Sequence, residues 1–304
     1  MPTVQGTLYI PRLNPMKFHM NSSSDSFWMD AIPTPDWQGA EYYQPYQIGD
    51  ILYLQFVSSF NFASTGTVTL INNAGTVQQT FTIYSDGMYG SLYRSYVKSV
   101  FPSVTEGVFF IYVLVPFADG SIVMYSEPLH IAASHSDTIM ISYRHDYSIF
   151  DCKFGGITLP MFNLRVKGGM KSDGFAPGGK FEMYNDLDQQ PVMLQTQPFN
   201  LYKILFGDGY GIPNWFAERI NRAFALDYTY VDGVRYMRNE GAKLEPTIEG
   251  NNPLTAWTLE CREVANPYSD HFTGGSGIIH DSGVWEDTKT VDDEKIFSTD
   301  TVSA

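Results

Sequence analysis

Charge is the scarcest commodity in this chain. Charged residues make up 17% of it, against a usual share of about 25%. What charge there is runs acidic: 19 basic against 33 acidic residues give a formal net charge of −14. A protein that grips nucleic acid through its phosphates needs a basic footprint, and none is visible. An acidic wall would instead keep DNA from sticking as it slid past. Cysteine is nearly missing. Cys152 and Cys261 are 109 positions apart, which is neither a metal spacing nor a disulfide framework. Both lie in apolar, strand-like surroundings and are expected to be buried thiols. Long hydrophobic runs are also missing. The longest, Val108 to Ala118, is broken by Pro116 and is far short of the roughly 20 residues of a membrane span. Met1 to Ile10 has no basic stretch leading into an apolar one, so it does not read as a secretion signal. The chain is therefore expected to be made in a cytosol, and to stay there or leave within an assembly.

Aromatic residues take the place of the missing charges, with 20 Tyr and 21 Phe in 304 residues. Aromatics bury large areas and are enriched at interfaces, and tyrosine suits surfaces that are half wet. A chain of this length needs no staples, because it can bury about 75% of the surface its unfolded form exposes.

Four stretches differ in character. Residues 1–47 carry Pro2, Pro11, Pro15, Pro33, Pro35 and Pro45, each lacking a donor and fixing φ. Phe18, Phe27, Trp28, Trp37, Tyr42, Tyr43 and Tyr46 are interleaved with them. Such a stretch reads as an extended N-terminal arm that must lie on its own domain or on a neighbouring subunit. Residues 48–133 read as an immunoglobulin-like β-sandwich. Ile51-Leu-Tyr-Leu-Gln-Phe-Val57 is a strand, Val68 and Leu70 share a face, and the turn Asn72-Asn-Ala-Gly75 leads to Val77, Phe81 and Ile83 at even spacing. Val108 to Val115 is too apolar to face water on either side, and Asp119-Gly120 turns the chain back. The Cys–Trp–Cys signature of antibody domains is absent.

Residues 134–265 read as a second β-rich domain with one helix near 213–225. Thr138 to Tyr143 alternates, and Phe162 to Lys167 is a strand ending at a Gly168-Gly169 turn. Phe216, Ile220, Ala223 and Phe224 form one apolar helical stripe, with Glu218, Arg219 and Arg222 off it. Tyr228 to Val231, Asp232-Gly233 and Val234 to Met237 form a two-residue hairpin. Trp257, Leu259 and Cys261 point to one side of the last strand. Residues 266–304 hold eight acids and two lysines, which leaves −6, with Ile278, Ile279, Trp285, Ile296 and Phe297 as sparse anchors. This acidic C-terminal arm is expected to wrap a neighbour or to pack on its own domain. Trp28, Trp37, Tyr42, Tyr43, Tyr46, Trp285 and Phe297 are the candidate interface residues.

No catalytic, cofactor-binding or metal site is expected. Gly207-Asp-Gly-Tyr-Gly211 precedes the helix but lacks the Lys-Ser/Thr of a phosphate loop, and reads as a turn that sets the helix angle. None of the six histidines, His19, His130, His135, His145, His271 and His280, makes a helical ligand pair. Asp186 and Asp188 lack the glycine and distal glutamate of a calcium loop. Gly274-Gly-Ser-Gly277 lacks the strand–turn–helix context of a nucleophile elbow. A carboxylate pair for sugar hydrolysis would have to meet through folding.

Tyr125-Ser-Glu-Pro-Leu-His-Ile131, Thr138 to Tyr143, Phe162-Asn-Leu-Arg-Val-Lys-Gly-Gly169, Gly207-Asp-Gly-Tyr-Gly-Ile-Pro-Asn-Trp215 and the run from Val231 to Glu245 together resemble virion proteins of phages and prophages of gut Bacteroidetes, a group that includes the short-tailed crAss-like phages. The resemblance spans roughly residues 48–265. It implies a structural tail component: a ring of β-sandwich subunits below the portal, in a tail barrel or collar that lines the DNA conduit. It implies copies of itself and other tail, portal or collar proteins as partners. It implies no cofactor, no specific nucleic-acid binding and no membrane. The alternative is a receptor- or glycan-binding module at a tail tip or bacterial surface, where exposed aromatics stack on sugars.

Overall fold

A computed structural model describes residues 6–20, 42–117, 120–154, 161–185, 189–209, 211–247 and 254–264. The described chain is mainly β, and it divides into two bodies with separate cores.

The first body runs through β1 (Leu8–Tyr9), β2 (Phe18–Met20), β3 (Gln44–Gln47), β4 (Ile51–Ser58), the single turn α1 (Phe62–Thr65), β5 (Thr67–Asn72), β6 (Val77–Phe81), β7 (Ile83–Tyr89), β8 (Leu92–Val100), β9 (Gly107–Phe117), β10 (Gly120–Ser126) and β11 (Leu129–Ala132). One sheet has the order β1-β4-β8-β7. In the other, β9 pairs with β5 on one side and with β10 and β11 on the other; β6 extends it beyond β5. Period-two alternation decides which side chains go inside. Leu52, Leu54 and Phe56 of β4 meet Val68, Leu70, Ile111, Val113 and Val115 in one buried cluster between the sheets. The alternate residues of β9 are half-buried, so this strand is less shielded than its composition suggests. The turn after β5 is held by the Asn72 side chain, whose Oδ1 accepts the N–H groups of Ala74 and Thr76 at 3.0 and 2.9 Å. Val77, Phe81 and Ile83 do not lie on one strand. The chain leaves the β5/β6 side after Phe81 and joins the opposite sheet from Ile83.

Composition assigns residues 6–20 and 42–47 to an arm, yet here they are walls of the sandwich. β1 pairs with β4; β2 and β3 line the outer edge of β10 and β11. Leu8, Met16, Phe18 and Tyr46 belong to the core. Pro45 is tolerated because β3 is an edge strand, where a missing donor costs no ladder bond. Residues 21–41, the Asp119 turn and the acidic stretch 266–304 lie outside the described residues.

The second body contains β12 (Thr138–Arg144), β13 (Phe162–Met170), β14 (Ala176–Asn185), β15 (Pro191–Phe206), α2 (Asn214–Ala223), β16 (Tyr228–Val231), β17 (Val234–Arg238), β18 (Glu245–Thr247) and β19 (Ala256–Glu263). Six of these close on themselves, each antiparallel to the next: β15-β13-β12-β16-β17-β19 and back to β15. The result is a small barrel filled by side chains. Ile139, Ile141 and Tyr143 of β12, Leu164 and Val166 of β13, and Leu259 and Cys261 of β19 point inward. The expected stripe of α2, Phe216, Ile220, Ala223 and Phe224, packs into the same core. Pro213 stands just before the helix as its cap residue. Gly207, Gly209 and Gly211 all have left-handed φ of about 80°, and a Cβ on Gly211 would sit 2.5 Å from the Leu254–Thr255 backbone. The segment is a tight turn that feeds the helix. Among the described residues no helix is long and apolar enough to cross a membrane.

Gly168 and Gly169 do not end β13, which runs through them to Met170. Gly168 has φ +142°, and a Cβ there would lie 2.0 Å from the Leu205 carbonyl oxygen. Glycine is required because β13 and β15 cross too closely for any side chain, at the seam that closes the barrel.

Candidate assembly surfaces

Two surfaces follow from this architecture: one that fixes the bodies to each other, and one that leaves the molecule. The first is built by residues 11–17, which thread between the sandwich and the barrel. Leu13 enters the barrel core while Met16 enters the sandwich core. Two side-chain amides continue the β4 ladder across the junction. Asn14 Oδ1 accepts the Gln55 N–H at 2.7 Å, and its Nδ2 donates to the Gln55 carbonyl at 2.9 Å. The Gln55 amide does the same for Lys153 on the barrel side, at 2.8 and 2.7 Å. The Tyr143 hydroxyl donates to the Leu13 carbonyl at 2.6 Å. Arg219 belongs here too. It is buried, and its guanidinium donates to the carbonyls of Asn14 and Arg12. A helical stripe counts only apolar positions, which is why Arg219 reads as solvent-facing in the sequence. Arg165 of β13 clamps Asp50 in the sandwich with two bonds of 2.9 and 2.8 Å, and donates to Thr138 at 3.1 Å. Both partners are about nine-tenths buried, and the Asp50 carboxylate also accepts the Gln47 N–H.

The second surface is the hairpin of β14 and β15. The two strands pair from Ala176↔Leu201 to Asn185↔Pro191. From Leu201 onward β15 also pairs with β19, and from Ile204 with β13. Before Leu201 its only partner among the described residues is β14. Residues 191–200 and their β14 partners therefore form a two-stranded ribbon standing out from the barrel. Ten residues at about 3.3 Å each give it a reach of about 30 Å. Met183 and Tyr184 are neighbours on β14 and so point to opposite faces, yet they are 62% and 48% exposed. At this point of β14 both faces are exposed. Its base is anchored: Phe175 packs on Tyr202 at 5.4 Å, Tyr202 on Tyr236 at 5.6 Å, and the Arg262 guanidinium lies 4.2 Å from the centre of the Phe199 ring.

The expected interface aromatics divide differently. Tyr46 is fully buried against Phe101, with centroids 4.7 Å apart. Tyr42 packs on Phe216 and Trp215 at 5.3 and 6.4 Å. Both rings are used inside their own chain. Burial pushes the Tyr42 hydroxyl well above its ordinary pKa, and it has no hydrogen-bond partner among the described residues. Tyr43 is on the surface. Trp28, Trp37, Trp285 and Phe297 lie outside the described residues, as do Asp186 and Asp188.

A smaller feature is the loop after β12. A pair of backbone bonds between Ile149 and Cys152 closes a turn in which Phe150 and Asp151 both adopt left-handed φ, 50° and 62°. Tyr147, 75% exposed, and Phe150 project from it. Beside it, Arg144 and Arg235 lie over the Tyr228 ring at 4.0 and 4.4 Å. His145 Nδ1 sits 2.6 Å from the Asp227 carboxylate.

Among the described residues, no group of three His, Cys, Asp or Glu could hold a metal ion. The His130 and His135 rings are 5.2 Å apart; burial first, and His135 second, lower the His130 pKa. Both cysteines are free and buried. Burial pushes the Cys261 thiol up to about 12 and Cys152 higher still, so both are protonated at neutral pH. No protein family, curated protein or solved structure matches this chain.

Proposed function

We propose that this protein is a structural component of a bacteriophage virion, a ring-forming subunit of the tail barrel or collar that assembles below the portal and helps form the DNA conduit. One observation carries the reading: the β14–β15 ribbon leaves the barrel as a lone pair of strands, with Met183 and Tyr184 exposed on opposite faces of β14. A lone two-stranded hairpin is marginal in water, so a ribbon of this length is accounted for by contacts with other chains. The resemblance of the sequence motifs to Bacteroidetes phage virion proteins suggests the class of assembly. The first body is of immunoglobulin-like type in this reading. Its order β1-β4-β8-β7 against β6-β5-β9-β10 corresponds to strands A-B-E-D against C′-C-F-G. The net charge of −14 suits a wall that DNA passes without sticking. Light scattering and electron microscopy of the purified chain test the proposal. Closed rings of many copies are expected, and a monomer at every concentration reached would sink it.

The exposed Tyr147 and Phe150 favour a second reading, a glycan- or receptor-binding module at a tail tip. Glycan-array binding that is lost in Tyr147→Ala would select it.

A further inference from the structure

Among the described residues the ribbon has two free edges: β14 is unpaired along its whole outer edge, and β15 is unpaired on its outer edge before Leu201. Natural sheets blunt such edges with charge, proline or bulges. Here the blunting is confined. Pro191 and Pro198 bracket Val192-Met-Leu-Gln-Thr-Gln197, a window with no charge and a donor at every residue. On β14, Pro177 stands below Gly178 to Asn185, where Lys180 and Glu182 cancel and one register shift falls between Glu182 and Met183. In a chain of net charge −14, copies repel at most points of approach. These windows are a place where two backbones can meet without that opposition.

We infer that the β15 edge of one copy, residues 192–197, pairs with the β14 edge of the next, within residues 178–185. The ring reading above underlies this step. The geometry favours a second copy over an unrelated partner because the ribbon carries both halves of the contact. Its strands are antiparallel, so a rotation about an axis along the ribbon sets β15 of one copy antiparallel to β14 of its neighbour. Every junction is then the same, and the N–H and C=O of alternate residues, those facing away from the hairpin partner, can enter the ladder. Such a contact is head-to-tail and repeats until the rotation closes. Six residues supply about six backbone hydrogen bonds per junction. The product is a continuous antiparallel wall, two strands per copy.

Hydrogen exchange on the full chain tests this, comparing dilute monomer with assembled protein. The expected result is slowing of about 100-fold or more on assembly at the alternate amides of 178–185 and 192–197 that face away from the hairpin partner. A second experiment replaces residues 177–200 with Asn-Gly, joining Ala176 to Leu201, which already face each other. That chain is expected to keep its circular dichroism and melting curve and to stay monomeric. If the full chain never assembles, the ring reading itself fails. If it assembles while ribbon amides exchange as before, or if the shortened chain still forms rings, edge pairing is wrong and the ring reading survives. Outward-facing ribbon amides already protected in the monomer would mean that the chain covers its own edge, which also overturns the inference. Should the shortened chain not fold, the exchange comparison decides alone.

Discussion

The two bodies solve the same problem in opposite ways. A sheet edge is a row of unpaired donors and acceptors, and it must be covered or abolished. The sandwich covers part of its edges: β1 lies along β4, and β2 and β3 lie along the β10–β11 run, while β6 and β7 stay outermost. The barrel abolishes, since six strands pair in a circle and β19 returns to β15. Covering draws on the N-terminal residues, and so ties that segment to the body. Closing leaves strand length over, and the excess of β15 and its partner β14 projects as the ribbon. The difference teaches where to look for assembly. On the ring proposal it is at the surplus of the closed body, because the open body has used its N-terminal segments on itself.

Three experiments break or sharpen this contrast. The largest effect is expected where the bodies meet. Arg165→Ala strands the Asp50 carboxylate in a buried junction, and losing one partner of such a pair costs about 3–5 kcal/mol. Urea unfolding followed by circular dichroism should show that loss. A second transition in the variant would mean the bodies separate once unclamped. Next comes Gly168→Ala, which attacks the barrel seam through its backbone. A sparsely allowed φ costs about 1–3 kcal/mol, and the Leu205 oxygen at 2.0 Å must also move. Gly75→Ala, at a sandwich turn with open space around it and φ +78°, should cost no more than about 2 kcal/mol. Equal melting-temperature losses in the two variants would contradict the seam argument.

The smallest effect is a titration. Cys152 and Cys261 both lie in the barrel core, and the chain has no other cysteine. In the unfolded chain a thiol ionises near about 8.5, whereas burial holds Cys261 up to about 12. The folded barrel therefore retains more protons above pH 8.5. Its stabilising share is whole below that pH and is lost as pH rises toward 12. The urea midpoint should fall across this alkaline range. Thiol labelling, which reports the barrel alone, should coincide with global unfolding at neutral pH. Labelling well before the loss of β signal would show that the barrel opens independently.

Much of the barrel was legible residue by residue. Thr138 to Tyr143, the hairpin around Asp232-Gly233, the α2 stripe and the inward set of Leu259 and Cys261 all follow from period and turn chemistry, which are local. What stayed hidden depends on distant partners. Residues 6–20 have the same prolines and aromatics whether they cover their own sandwich or a neighbour's. Arg219 is polar by type and buried by position, because its acceptors are carbonyls some 200 residues away in sequence. Gly168 reads as a turn because nothing nearby reveals that Leu205 will cross it. The ribbon went unread because Pro191, Pro198 and the Gln and Thr between them break up any apolar alternation. The only local hint was a polar stretch, Asn185 to Gln190, between two runs that contain valine, methionine and phenylalanine.

The paired amides of Asn14 and Gln55 carry a mechanical consequence. They splice three stretches of backbone, from the first residues through β4 to the loop at Lys153, so no flexible linker carries the junction alone. A torque applied at the tip of the ribbon travels through the seam of β15 into the sandwich instead of dissipating in a hinge. Under the ring proposal, a neighbour gripping one end of the molecule would therefore bear on the angle of the other.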